Sequence, residues 1–280
     1  MIPFDPEEAM RSGLYTSGTT GSGKSDVAMY ATQRLMEEGV TIVVFDPSQD
    51  WITRSNIHSY AMPKMQEYLW NGHVPQKNFI FDLSQLTIVE KEGFVEDFCK
   101  ALMQQQAKQQ TRKYFLVFEE AHTFFPQGCM TARRTRNTSY LMTQGRNYGI
   151  RFGCITQFAS LLDKNAMRYM RQRYFGFTDE PNDLDYVKRF FPKEDRKEIE
   201  KELMELKTGQ FIYKYGTQQR TFSIQPFKSN IKPQPQQPPP PQAPVSITAT
   251  PISTDYGIAL ARIGFLTFMG IMFFWIIAKG

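Results

Sequence analysis

At 280 residues with 41% hydrophobic side chains, the chain has room for one large domain or two small ones with an ordinary core. A formal net charge of +5 suits an anionic partner without demanding one. Three cysteines and three histidines, set far apart, exclude a disulfide framework and a metal-ligand pattern, and point to a reducing compartment.

Met1 to Ser12 is polar and acidic, so no leader segment is expected. The first predicted element is a short strand, Leu14 to Thr16. It feeds Gly18-Thr19-Thr20-Gly21-Ser22-Gly23-Lys24-Ser25, a full match to the phosphate-binding pattern G-x-x-x-x-G-K-[ST]. Val27, Ala28, Ala31 and Leu35 then recur at helical spacing, with Gly39 as C-cap. Glycines let backbone N–H groups wrap an anion, and the helix N-terminus adds its positive end. Lys24 is placed to reach the β- and γ-phosphates, the Ser25 hydroxyl to hold Mg²⁺, and Asp26 to complete the nucleotide-binding stretch. The expected ligands are ATP and Mg²⁺.

Thr41 to Phe45, followed by Asp46-Pro47, reads as a buried strand ending in a turn. Trp51 to Gln76 is irregular, with one short helix at Lys64 to Trp70. Phe79 to Leu83 is a third strand, Phe94 to Gln110 a helix, and Tyr114 to Phe118 a central strand. A helix follows from Thr131 to Tyr148, capped by Gly149, then strands at Phe152 to Thr156 and Tyr174 to Phe177. Pro192 opens a helix carrying Ile199, Leu203 and Leu206 and closed by Gly209. Phe211 to Tyr215 and Arg220 to Ile224, around Gly216-Thr217, form a hairpin. Strands alternating with helices give an α/β fold with a mostly parallel central sheet, flanking helices, and the ligand at the strand C-termini. There is no internal repeat.

Composition changes after Lys228, which sets an ATPase domain at 1–228, a linker at 229–255 and an anchor at 256–280. From Lys232 to Pro251 there are eight prolines, an extended spacer that packs no core. Gly257 to Ala278 is apolar except for Arg262, and at ~1.5 Å per residue its length matches a bilayer core of ~30 Å. Arg262 can snorkel, and Trp275 and Lys279 suit the opposite interface. A core helix docked on the domain is the other reading, disfavoured because the segment is apolar around its whole circumference. Only Gly280 follows Lys279, so no domain is expected past the membrane.

Phe115 to Phe118 delivers Glu119 and Glu120 to the strand end. Adjacent residues face opposite ways, so Glu119 is assigned to Mg²⁺ and Glu120 to the water that attacks the γ-phosphate. A solvated acidic strand end is the bland alternative.

Phe118-Glu-Glu-Ala-His122, Gln144-Gly-Arg-Asn-Tyr-Gly149 and Cys154-Ile-Thr-Gln157, taken together, resemble the HerA/FtsK superfamily of P-loop ATPases. Asp179 to Val187 and Thr208-Gly-Gln-Phe-Ile212 resemble its later elements, so the likeness spans Leu14 to Phe227. The resemblance implies a RecA-like P-loop NTPase sheet, with the Gln157 strand between the phosphate-loop and Glu119 strands and Gln157 as polar sensor. It also implies a homo-oligomeric ring, usually a hexamer, that drives DNA through its pore, with an arginine entering the neighbour's site. Glu119 stands where that family usually has Asp, and Gln144 where it usually has Glu.

Arg146 and Arg151 are the candidate fingers, with Arg133, Arg134 and Arg136 nearby; any of them also reads as a solvated helix charge. The Arg133, Arg134, Arg136 cluster could instead track phosphates in a pore, as could a helix bearing Arg168, Arg171 and Arg173. The compact core is most similar to packaging ATPases of membrane-containing viruses. That implies DNA translocation for genome packaging, a membrane-held motor with its ATPase domain in the cytoplasm, association with the virion, and contacts to virion or membrane proteins. A Zot-like ATPase driving filamentous virion extrusion is the alternative, with conjugation-type DNA transfer and a low-turnover membrane scaffold further off.

Overall fold

The structure, a computed structural model, describes residues 2–57, 60–61, 74–110, 112–129 and 136–228. The helix expected at Lys64 to Trp70, Arg133 and Arg134, the proline-rich linker and the apolar C-terminal segment lie outside these residues. Among the described residues no helix is long and apolar enough to cross a membrane.

The described chain runs α1 (Pro6–Ser12), β1 (Leu14–Ser17), α2 (Lys24–Glu37), β2 (Thr41–Asp46), α3 (Asp50–Arg54), β3 (Tyr60–Ala61), β4 (Phe79–Asp82), α4 (Ile88–Lys108) and β5 (Tyr114–Phe118). It continues through α5 (Arg136–Gln144), β6 (Ile150–Thr156), α6 (Lys164–Arg168), β7 (Gln172–Phe175), α7 (Pro181–Val187), α8 (Arg196–Glu205), β8 (Gln210–Tyr215) and β9 (Gln218–Ser223). The strands form one nine-stranded sheet in the order β3-β4-β2-β5-β6-β1-β7-β8-β9. From β3 to β7 all pairings are parallel; only the β7–β8 and β8–β9 pairings are antiparallel. The α/β expectation therefore holds, and the Gln157 strand, β6, lies between β1 and β5.

Both faces of the sheet are covered, which is why its strands read as unbroken apolar runs. Alternate residues sort cleanly. Ile42, Val44, Phe115 and Val117 pack with Val27, Ala31 and Leu35 of α2 and with Trp51 of α3. Val43, Phe45, Leu116 and Phe118 pack with Phe94, Phe98 and Leu102 of α4 and Leu141 of α5. On that second face Phe81, Phe45, Phe118 and Phe152 stack across β4, β2, β5 and β6, with ring centroids 5.6, 4.8 and 5.9 Å apart. Burial contributes about 1.5–3 kcal/mol per ring and each ring pair about 0.5–1.5 more, enough to hold the strands in register. Register matters because the residue after three of these rings is an acid: Asp82, Asp46 and Glu119 come out along one edge of the sheet.

Several boundaries differ from expectation. Helix α4 starts at Ile88, six residues before the first residue of its apolar stripe, because Thr87 and Glu90 form a reciprocal capping box. The predicted helix beginning at Pro192 starts at Arg196, and the helix expected up to Tyr148 ends at Gln144 and tightens into a 3₁₀ turn. Short α1 and α7, each opened by a proline after an acidic residue, were not expected at all. The notion of one helix bearing Arg168, Arg171 and Arg173 fails: α6 ends at Arg168 and Arg173 belongs to β7.

Candidate active site

The loop between β1 and α2 is held from outside. Thr19 N–H donates to Phe177 O (2.9 Å) and Gly209 N–H to Ser22 O (2.9 Å). Gly18 has φ 152° and sits so close to its neighbours that a Cβ there would lie 2.7 Å from Ser22 Oγ. Gly23, at φ 96°, turns the chain into α2 without a side-chain cap. Among the described residues the N–H groups of Thr20, Gly21, Gly23, Lys24, Ser25 and Asp26 find no acceptor within the chain. A row of free donors at a helix N-terminus, with the buried Lys24 beside it, is an anion cradle.

Opposite stands the acidic wall. Glu119, only 3% exposed, accepts from Ser25 Oγ at 3.2 Å, a partner 94 residues away. Its other oxygen accepts from Trp51 Nε1 at 2.7 Å. Burial pushes the carboxyl up to about 8, against the pull of the Trp51 hydrogen bond and of the Lys24 charge. Trp51 is placed by Asp46, whose buried carboxylate accepts from Ser48 N–H (2.9 Å), Ser48 Oγ (2.8 Å) and Trp51 N–H (2.8 Å). Sequence reasoning treated this stretch as irregular and missed Trp51; an acid two and five residues before polar or aromatic N–H donors was the available sign.

Glu120 does not continue the strand, so the alternation expected to separate it from Glu119 does not apply. Glu120 has φ 49° and ψ 51°, a left-handed conformation that costs a non-glycine residue about 1–3 kcal/mol. Thr123 holds it there, its N–H and Oγ1 both donating to Glu120 O at 2.9 and 2.8 Å. One Glu120 oxygen, Oε2, is buried without a hydrogen-bond partner and lies 3.5 Å from His122 Nδ1. His122 Nδ1 is 2.9 Å from Thr156 Oγ1 at the end of β6, and burial lowers the pKa of the ring. Next to Thr156, Gln157 accepts from Thr20 Oγ1 of the loop at 2.7 Å, so the residue read as a sensor does touch the cradle.

The remaining candidates separate. One oxygen of the Asp26 carboxylate, Oδ1, is taken by the Arg54 guanidinium and by Phe227 N–H (2.6 Å). Arg151 is the second residue of β6, about 17 Å of strand before Thr156. It is buried, its Nε has no partner, and burial lowers its pKa, with Arg146 adding to the effect. Arg146 is exposed on the 3₁₀ turn leading into β6. Both therefore lie toward the sheet edge opposite their own phosphate loop. Arg173 packs its guanidinium over Phe190, 4.5 Å from the ring centroid.

The sequence profile of the HerA helicase central domain matches residues 3–148, more than half the chain. The chain belongs to that family. No curated protein sequence matches it. Among solved structures, the genome packaging NTPase B204 from Sulfolobus turreted icosahedral virus 2, in complex with sulfate, is similar at 17% identity. Its TM-score is 0.57, with 76% of this chain and 95% of that one covered. VirB4 of Thermoanaerobacter pseudethanolicus is similar at 12% identity and TM-score 0.53, over 76% and 90% of the two chains. The bacterial conjugative coupling protein TrwBΔN70 is similar at 10% identity and TM-score 0.60, over 82% and 88%. At such identities these likenesses establish a shared fold for the HerA-family chain, a RecA-like P-loop sheet.

Proposed function

We propose that this HerA-family chain hydrolyses ATP to translocate DNA, as a genome-packaging motor held at a membrane. The observation that carries the ATPase reading is the meeting of Ser25 and Glu119 at 3.2 Å beside a row of unclaimed N–H donors. The donor set fits Mg²⁺: hard oxygens from a hydroxyl and from a carboxylate whose proton affinity is raised by burial. Mg²⁺ bound there would neutralise charge on the β- and γ-phosphates. The loop N–H groups and Lys24 bind and orient the triphosphate. Trp51 and Ser25 fix the Glu119 carboxylate. Glu120, set beside His122, orients the attacking water and takes its proton, and Gln157 reads the γ-phosphate from the β6 end.

For an arginine entering a neighbouring copy's site, Arg146 is the better choice, because it is exposed while Arg151 is sealed against the sheet. The apolar run from Gly257 to Ala278 and the proline-rich spacer support a tethered motor with its ATPase domain in the cytoplasm. A net charge of +5 and the arginines before β6 support an oligomeric ring, a hexamer by family habit, that grips a phosphate backbone.

The test is ATP turnover by the full chain with and without long double-stranded DNA across a salt series. Strong stimulation that fades with salt supports translocation. Turnover indifferent to DNA overturns it and leaves an ATPase that works on a protein load, as in filamentous virion assembly.

A further inference from the structure

His122 belongs to neither the phosphate cradle nor the metal pair, yet it sits where the two catalytic arms meet. The hydrogen bonds around Thr156 decide how its ring is used. Phe158 N–H donates to Thr156 Oγ1 at 3.1 Å, and the Thr156 hydroxyl donates to Phe158 O at 3.3 Å. With that proton given to Phe158 O, Thr156 Oγ1 meets His122 Nδ1, 2.9 Å away, as an acceptor. This arrangement assigns the ring proton of His122 to Nδ1. That same nitrogen is 3.5 Å from Glu120 Oε2, a buried oxygen with no other hydrogen-bond partner. One N–H faces two acceptors. The ring is steadied from the side by the edge of Phe158, 5.1 Å between centroids.

Buried carboxylate oxygens without a donor are costly, so Glu120 Oε2 has a standing demand for this N–H. Thr156, the competing acceptor, is one residue before Gln157, and Gln157 is bonded to Thr20 of the phosphate loop at 2.7 Å. A change in the loop that shifts Gln157 thus moves the group that competes for His122.

We propose that His122 is the positioning residue for Glu120, its single Nδ1–H shared between Thr156 and the Glu120 carboxylate so that the Gln157 strand sets where Glu120 points. This rests on the reading of Glu120 as the residue that orients the attacking water. The imidazole does not touch the phosphates; it acts through the carboxylate.

The geometry makes an unusual demand on substitutions. Asparagine places an amide N–H near the position of Nδ1, whereas glutamine places it near Nε2. The experiment measures kcat for ATP and the affinity for a fluorescent ATP analogue in the full chain carrying His122→Asn, His122→Gln and His122→Ala, with Glu120→Gln alongside. His122→Ala and His122→Gln should lose about 10- to 100-fold in kcat, the range seen when an orienting partner is removed, with nucleotide affinity unchanged. His122→Asn should keep most of the turnover. Thr156→Val should reduce kcat on its own and add nothing in the His122→Ala background.

Asparagine as poor as alanine, glutamine as good as asparagine, or additive effects with Thr156→Val would overturn the proposal. So would a flat series in a protein whose Glu120→Gln variant is inactive. If Glu120→Gln itself turns over normally, the role given to Glu120 falls, and the role of His122 falls with it. Preserved analogue binding in each variant certifies the fold, and the Asn/Gln pair is decisive even if alanine proves unstable.

Discussion

The two walls of the site are built on different principles. The phosphate wall is a contiguous stretch, Gly18 to Ser25, whose chemistry is carried by backbone N–H groups fixed through Phe177 and Gly209. The acidic wall is assembled from side chains that the fold collects from remote segments: Trp51, Glu119, Glu120, His122 and Thr156. Backbone donors depend on dihedral angles, so they tolerate change in any side chain that leaves the turn intact. Side-chain assemblies fail one hydrogen bond at a time. The first wall should therefore break all at once in binding, and the second by steps in turnover.

The largest expected effect falls on the first wall. Lys24→Ala removes a buried side-chain cation from the cradle and should abolish measurable ATP binding, a loss of about 100-fold or more, as expected for a buried charged partner. Isothermal titration with a non-hydrolysable analogue checks this. Affinity within a few-fold of the wild type would mean that the loop is not a triphosphate site.

Trp51→Phe is the corresponding break in the second wall. It keeps the ring packed under β2 and β5 while removing the 2.7 Å hydrogen bond to Glu119. The apparent affinity for Mg²⁺ in the ATPase reaction should fall about 10-fold, in line with loss of a partner that orients a metal ligand, with ATP analogue binding in the absence of Mg²⁺ little changed. Equal damage to both would place Trp51 in the general packing of the site rather than in the orientation of Glu119.

The same contrast explains what could be read from the sequence. A motif with fixed spacing, such as the phosphate loop, encodes its geometry locally, so its residues and even its flanking strand and helix were legible. Glu119 and Glu120 were legible as a pair because an apolar run delivers them, but the left-handed turn that aims Glu120 is announced by no pattern. Trp51 and Thr156 carry no motif; they matter only because β2, β5 and β6 are neighbours. Helix α4 shows the same limit within the fold. Ile88 and Val89 are exposed, so the apolar periodicity begins only at Phe94, and the capping box of Thr87 and Glu90 was the local sign that went unused. The separation of Arg146 and Arg151 from their own phosphate loop is likewise a property of sheet direction, invisible in the spacing of residues.

The smallest expected effect lies in the acid that joins the two walls. Burial raises Glu119 to about 8, so between its ordinary value near 4.5 and that figure the folded chain holds a proton that the unfolded chain has released. Stability must then fall as pH rises through that window, because the folded state binds the extra proton. His122, lowered by burial, contributes with the opposite sign at the acid end, so the clean interval is between about pH 7 and about pH 8.5. Without metal or nucleotide, the melting temperature should drop by a few degrees, about the shift that ~1 kcal/mol produces in a domain of this size, across that interval. Glu119→Gln, which keeps an acceptor for Trp51 Nε1 but cannot ionise, should flatten the slope. If the variant keeps the wild-type slope, the titrating group lies elsewhere, and Glu119 enters the site already charged.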